Sequence, residues 1–285
     1  MTAKGTPEAH YPSLASTVHI ITGGAGLLGR SHARHLLRQG ARVLLADLHG
    51  AASAAAELNS EGSEATENVE EAGGCRGIAA DVRDPDAMAA VVEDALTRWG
   101  RLDGLVNNAA LDPKFDTESR DRHGQTFESF PLAVWEESLA VNVTGMFVSA
   151  QAASRAMKTA GRGAIVNISS TYGLVGPDQR LYEREGEPAA IKPVTYSVSK
   201  AAVLGLTRYL ATYFRDSGIR VNTLTPGGVF AGHDDEFVAR YSSRTPLGRM
   251  ARADEISRAL VFLLADESSY MTGANLVVDG GWTAW

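Results

Sequence analysis

The sequence predicts an α/β fold: one doubly wound parallel sheet with helices on both faces. Three observations carry this. Apolar, β-branched runs alternate with Ala/Leu-rich runs of helical period along the chain. A glycine-rich stretch, "TGGAGLLG" at residues 22–29, stands between the first apolar run and the first helical one. The length of 285 residues with 44% hydrophobic content suits one large domain.

Residues 1–16 read as a loose polar arm, and the folded domain is expected to span 17–285. "TVHIIT" is the first strand, and residues 26–40 read as a helix closed by glycine. "ARVLLAD" is the second strand. The acidic, Ala-rich run from residue 51 reads as helix, with a break expected near 60–62. "CRGIAAD" gives a short strand, "DPDAMAAVVEDALTRWG" a capped amphipathic helix, and "LDGLVNNAA" a strand entering a polar turn. Residues 131–160 read as one long helix or two abutting ones. "GAIVNISS" is a strand, "YSVSKAAVLGLTRYLATYFRDSG" a long helix, "IRVNTLTPGG" a strand, "DEISRALVFLLAD" a helix and "ANLVVDGG" the last strand. Crossovers between parallel strands are expected to be right-handed. Two long polar loops, 111–130 and 176–193, follow strands, where such sheets bind ligands.

The bulk numbers exclude several classes. Net charge is −7 with both signs interspersed, which argues against a nucleic-acid surface. The single cysteine, Cys75, allows no internal disulfide and points to a reducing, cytoplasmic setting. No run approaches the ~18 apolar residues of a membrane span, and the first residues lack a signal-peptide core. Seven histidines are scattered without ligand spacing, so no metal is expected.

The glycine turn has the strand-turn-helix context of a Rossmann-type dinucleotide site. Glycine lets a pyrophosphate approach the backbone, and the helix N-terminus offers free N–H groups. Asp47 ends the second strand 18 residues after Gly29. A carboxylate there accepts from ribose hydroxyls and repels a 2′-phosphate, and Leu48, His49 and Gly50 supply no arginine. This favours NAD over NADP. Asp81 either flanks the adenine or caps the next helix.

Tyr196 and Lys200 in "YSVSK" are four apart and share a helix face. An ammonium beside a phenol favours phenolate, so the pair can exchange a proton with an alcohol. Ser169 and Ser170 end a buried strand and offer hydroxyls to a developing alkoxide. Asn142 is a polar residue on an apolar helix face. It either holds a water relaying protons to Lys200 or serves as a helix-bending core amide.

In their joint order these pieces resemble the short-chain dehydrogenase/reductase family over about residues 17–285. The matched pieces are the glycine turn, Asp47, "NNAA" at 107–110, Asn142, Ser170, Tyr196 with Lys200, "PGGV" at 226–229 and the tail "SSYMTGANLVVDGG". The resemblance implies a catalytic set of Asn142, Ser170, Tyr196 and Lys200. Ser170 is preferred over Ser169 because the family's serine stands three positions before a glycine, here Gly173. It implies a cofactor cleft formed by Gly23, Gly26, Leu27, Leu28, Gly29, Asp47, Asp81, Val82, Asn108, Ala109, Tyr196, Lys200, Pro226, Gly227 and Val229. It also implies a lid over 229–250, a small-molecule substrate, and a homo-oligomer, dimer or tetramer, built through the helices near 135–160 and 197–216 and the last strand. Trp282 and Trp285 are expected to be exposed, at a subunit contact or the pocket mouth. His233 is read as solvated, and Asp234, Asp235 and Glu236 as a helix start.

Two features depart from the family's compact branch and resemble its extended branch. The glycines are spaced G-x-x-G-x-x-G, and Ser170 and Tyr196 lie 26 residues apart. The intervening insertion carries Arg180, Tyr182, Glu183, Arg184, Glu185 and Lys192. As a charged roof it suits a polar substrate such as a sugar or sugar derivative, with Arg180, Arg184 or Lys192 for a phosphate. The alternative is a solvated loop or one packed on a neighbouring subunit. The expected activity is NAD-dependent interconversion of a secondary alcohol and a ketone. The rivals are a sugar epimerase or dehydratase using bound NAD, and a non-catalytic NAD-binding sensor or scaffold.

Overall fold

The computed structural model describes residues 9–63, 74–112, 126–183 and 191–285. Strands β1 (Val18–Thr22) and β4 (Gly104–Asn107) are buried at every residue, as strands covered on both faces must be. Strands β5 (Gly163–Ile168) and β6 (Ile219–Pro226) are nearly so. Strand β2 (Arg42–Asp47) is half-buried only at its two ends, while β3 (Cys75–Ala79) and β7 (Asn275–Val278) form the partly covered edges. The order is β3-β2-β1-β4-β5-β6-β7, and each of these pairings is parallel.

Alternate residues of each strand enter opposite cores. On one face Ile21, Val43, Leu45 and Val106 meet helices α1 (Leu27–Arg38), α2 (Ala51–Ser63) and α8 (Ala253–Leu264). On the other, Ile20, Leu44, Leu105 and Ile165 meet α3 (Pro85–Trp99), α5 (Gly145–Ala160) and α6 (Val194–Tyr213). Helix α3 begins as its sequence directs. Asp84 accepts from the N–H groups of Asp86 and Ala87, and Gly100 ends the helix in a left-handed conformation.

Two expectations change. The packed chain starts before Thr17, because Pro12–Leu14 form a short turn and Leu14 is only 1% exposed. Gln39, just past α1, holds this segment by accepting from Tyr11 N at 2.7 Å and donating to Ala9 O at 3.0 Å. Helix α2 runs through residues 60–62 without a break. Asn59 pins it to β3 by two 2.8 Å hydrogen bonds with the Cys75 backbone. The stretch 131–160 is one continuous helical run: α4 (Leu132–Leu139), a π turn (Ala140–Thr144) and α5.

The chain moves outward from β1 to β2 and β3, then returns to β4 beside β1. The connections after β1 and β4 therefore leave in opposite directions and open a crevice at the strand carboxyl ends. The glycine turn and the "NNAA" turn both sit there.

The outer wall of this half of the sheet depends on Gly77. A Cβ at this position would collide with the Ala51 carbonyl and lie 2.5 Å from Ala52 N, all rigid backbone. Gly77→Ala is expected to destabilise the fold by about 1–3 kcal/mol. A fall in the urea midpoint at unchanged slope would register it, and an unaltered midpoint would refute the contact.

Candidate active site

The three motif glycines have different physical reasons. Gly23 has φ 62°, and a Cβ there would lie 2.7 Å from Ala109 Cα, so it shapes the turn and lets β4 approach. A Cβ on Gly29 would strike the Gly23 carbonyl and lie 2.7 Å from Gly24 Cα, so it seats α1 against the turn. Gly26 meets nothing closer than Gly23 O at 3.4 Å. The chain does not itself require glycine there; room above the turn does. Gly26 is also the N-cap of α1 and supplies no side-chain cap, so the first-turn N–H groups at Leu27, Leu28 and Gly29 remain for a ligand.

Thr22 and Asn108 brace this turn across the crevice. Thr22 Oγ1 accepts from the N–H groups of Asn108 and Ala109, both at 3.1 Å. Asn108 Nδ2 donates to Thr22 O at 3.1 Å and Gly23 O at 3.0 Å. Asp47 ends β2 beside the turn, its Oδ2 accepting from Ala25 N at 3.0 Å. This cradle fits a dinucleotide by its chemistry: open N–H groups for phosphates, a carboxylate for ribose hydroxyls, and a glycine, Gly26, that leaves the space above the turn free of any side chain.

Asp81 is not the cap of α3; Asp84 takes that role. The Arg83 guanidinium grips the Asp81 carboxylate at 2.6–3.0 Å and holds its pKa below the ordinary value. Val82 is buried beside Gly145, where any Cβ would lie 2.5 Å from Val82 Cγ2.

The candidate reactive groups meet where α6 crosses the end of β5. Ser169 is buried and donates to Lys200 O at 2.8 Å. Ser170 accepts from Tyr172 N at 3.2 Å and hydrogen-bonds the Tyr196 side chain. Of the two serines, only Ser170 faces the phenol. Gly173 makes this approach possible, since a Cβ there would lie 2.6 Å from the Lys200 carbonyl. Lys200 Nζ donates to Ile168 O at 2.9 Å and lies 5.8 Å from the Tyr196 ring centroid.

The expected acidification of the phenol by Lys200 is outweighed in the protein alone. Burial and the Asp112 charge push the Tyr196 phenol above its ordinary value, while the Ser170 hydrogen bond draws it back. Burial pulls the Lys200 ammonium down to about 8, opposed by Asp112 and assisted by Lys192.

Asn142 lies inside the π turn, behind the cavity rather than in its lining. Its Oδ1 accepts from Leu111 N at 2.6 Å, and its Nδ2 donates to Leu111 O at 3.0 Å and Ser199 Oγ at 3.1 Å. The amide thus ties the segment after β4 to α6, one residue before Lys200. The π turn, a local widening typical of functional sites, carries it.

A cavity of about 280 Å³ collects Leu28, Asn108, Ser170, Tyr196, Lys200 and the 226–229 segment. Its far wall is aromatic, made by Tyr172, Tyr182, Phe237 and Tyr241. Of the insertion's described residues, Tyr182 and Lys192 line this space, and its polarity is arranged differently from the expectation. Arg180 is exposed and paired with Asp178 at 2.8 Å, away from the lining. Arg184 and Glu185 lie outside the described residues. Tyr182 faces inward, donating to Tyr172 Oη at 3.0 Å and packing 5.8 Å from the Phe237 ring. Lys192 is buried and reaches the cavity.

The roof is joined to helix α7 (Asp235–Arg244), which Asp234 caps by accepting from Phe237 N at 2.9 Å. Arg244 pairs with Asp178, and Arg240 donates to the Arg180 and Glu183 carbonyls. His233, read as solvated, is exposed yet stacks 5.0 Å from Phe237 and lines the cavity. Trp282 is not exposed: it is 5% accessible and stacks 4.2 Å from Tyr241, whose hydroxyl accepts from Gly228 N at 2.5 Å. Trp285 is exposed and donates to Arg244 O at 3.2 Å. Sequence reasoning missed Asp112, Tyr172, Phe237 and Tyr241. They come from three separate segments, Phe237 and Tyr241 both standing on α7, and only the fold brings them together. Among the described residues, no group of three or more His, Cys, Asp or Glu side chains is placed to hold a metal.

Comparison with known proteins gives this geometry its context. A family profile described as enoyl-(acyl carrier protein) reductase matches residues 24–283. A trans-4-hydroxycyclohexanecarboxylate dehydrogenase of Sinomonas cyclohexanicum is 37% identical over 95% of this chain and 94% of its own. A 3-alpha-(or 20-beta)-hydroxysteroid dehydrogenase of Mycobacterium tuberculosis is 36% identical over 95% of this chain and 91% of its own. Among solved structures, a short-chain dehydrogenase from Leptospira borgpetersenii, crystallised with bound NAD+, superimposes with a TM-score of 0.77 at 29% identity. That match covers 94% of this chain and 93% of the other. Profile, relatives and fold agree: the chain belongs to the short-chain dehydrogenase/reductase family.

Proposed function

We propose that the protein is an NAD-dependent dehydrogenase that interconverts a secondary alcohol and a ketone. The observation that carries this is the convergence of Ser170, Tyr196 and Lys200 in one cavity with Leu28, Asn108 and Pro226. The relatives named above are dehydrogenases, and one structural neighbour holds NAD+.

The glycine turn and the α1 N-terminus hold the pyrophosphate. Asp47 takes the adenosine ribose, with Asp81 and Val82 at the adenine. Asn108, Ala109 and the 226–229 segment line the nicotinamide end, and Lys200 grips its ribose. NAD, when bound, supplies the hydride acceptor for the alcohol carbon. Tyr196 takes the hydroxyl proton as the carbonyl forms and returns it in the reverse direction. Ser170 holds the reacting oxygen. Asn142 fixes α6 and the turn before Asp112 relative to each other.

The substrate is a compact ring alcohol with a polar periphery, a sugar derivative included. The aromatic wall suits the apolar faces of a ring, and Lys192, Asp112 and His233 suit its polar edge. The volume, shared with the nicotinamide, is at the low end for ligand pockets. The protein works in the cytoplasm as a homo-oligomer, a dimer or tetramer. Exposed Phe147 on α5, and Val198, Tyr209 and Tyr213 on α6, support the association.

Four measurements test this. A panel of cyclic alcohols with NAD is expected to raise NADH absorbance in step with ketone. Tyr196→Phe is expected to cut kcat/KM by about 10²–10⁴-fold while NAD binding, followed by fluorescence, persists; equal turnover by the variant would overturn the assignment. Asp47→Ala is expected to narrow the preference for NAD over NADP by about tenfold to a hundredfold, as one like-charge contact with the 2′-phosphate is lost. An unchanged ratio would remove Asp47 from the ribose site. Light scattering is expected to give two or four chains per particle, and a monomer would end the oligomer reading.

A further inference from the structure

Lys192 and Asp112 lie outside the family motifs, yet both reach the reacting phenol. Lys192 ends the insertion just before α6 and is 8% exposed. Gln179, near the insertion's start, grips its backbone twice. Lys192 N donates to Gln179 Oε1 at 2.7 Å, and Gln179 Nε2 donates to Lys192 O at 3.4 Å. Lys192 Nζ donates to both Asp112 oxygens, at 2.6 and 2.7 Å. The same nitrogen stands 4.2 Å from the Tyr196 ring centroid, closer than the 5.8 Å of Lys200. The nearer of these two cations therefore comes from the insertion.

Charged and titratable groups reach Tyr196 from every side. Lys200 stands on its own helix, Lys192 and Tyr182 come from the insertion, Asp112 from the segment after β4, Tyr172 from the turn after β5 and Tyr241 from α7. A cation over an aromatic face is drawn to the ring, and more strongly when the ring is the electron-rich phenolate. A carboxylate opposes ionisation. Holding both in one ion pair lets the chain balance them.

We propose that Lys192, steered by Asp112, is a second positioning cation that sets how readily the Tyr196 phenol releases its proton. The pair makes the insertion part of the acid/base apparatus as well as a roof. This inference rests on Tyr196 being the acid/base of the dehydrogenase reaction. Loss of the Lys192 charge leaves Asp112 facing the phenol alone, so ionisation moves to higher pH. Loss of the Asp112 charge leaves Lys192 unopposed, so ionisation moves to lower pH.

The test uses the full chain in four forms: wild type, Lys192→Gln, Lys192→Arg and Asp112→Asn. Each is paired with its own Tyr196→Phe version, and the phenolate difference absorbance of each pair is titrated without substrate or cofactor. The pH profile of kcat/KM for alcohol oxidation is the second readout. Lys192→Gln is expected to move the Tyr196 titration and the acid limb of the profile up by about one pH unit. Lys192→Arg is expected to restore both, and Asp112→Asn to move both down. Titrations that coincide with wild type in folded variants would overturn the proposal. So would Lys192→Gln and Asp112→Asn shifting in the same direction, which would mark a packing effect. Should the titration move as stated while no alcohol is oxidised, this inference stands and the dehydrogenase reading falls. Lys192 is buried, so Asp112, half exposed, provides the second variant, in which the site of substitution lies at the surface.

Discussion

The hydrogen bond from Ser169 to the Lys200 carbonyl anchors the site. It draws the first turns of α6 onto the end of β5, and the absence of a side chain at Gly173 lets them close. From that contact the rest follows. Ser170, the next residue, is turned toward Tyr196, and Lys200 is left with the Ile168 carbonyl within reach. A net gain of about 1 kcal/mol from such a bond is modest. Its value lies in register: a slip of α6 by one residue would separate the side chains of Ser170, Tyr196 and Lys200.

The electrostatics of the site are a contest between burial and charge. Burial disfavours both the phenolate and the Lys200 ammonium, and it is the largest influence on either group. A buried phenol serving as a base near neutrality, as proposed for Tyr196, needs positive charge close by. The motif supplies one lysine at 5.8 Å, and the insertion supplies another at 4.2 Å. Asp112 moderates the second. The three charges belong to three different segments of the chain, so the balance exists only in the folded protein.

The described part of the insertion, α7 and the carboxyl-terminal segment form one layer. Asp178 binds Arg244, Tyr182 packs on Phe237, and Trp282 stacks on Tyr241. These contacts tie the insertion, α7 and the carboxyl-terminal segment together over the cavity. Aromatic groups face inward and the guanidinium groups stay at the rim, because an arginine keeps its hydration there while a ring gains by leaving water.

The sequence by itself determined the strand-helix alternation, the glycine turn, Asp47 and the Tyr196–Lys200 spacing. Each is local: periodicity, a turn between two elements, or one helix face. It misread what depends on distant partners. Leu14 in a polar arm is packed because Gln39 holds the segment, and Trp282 near the terminus is buried because Tyr241 offers a ring. The role of Arg180 turned on Asp178 standing beside it, and the role of Lys192 on Asp112, 80 residues away in the chain. Tertiary structure alone decided these, since a charged or aromatic side chain has no fixed meaning until the fold selects its neighbour.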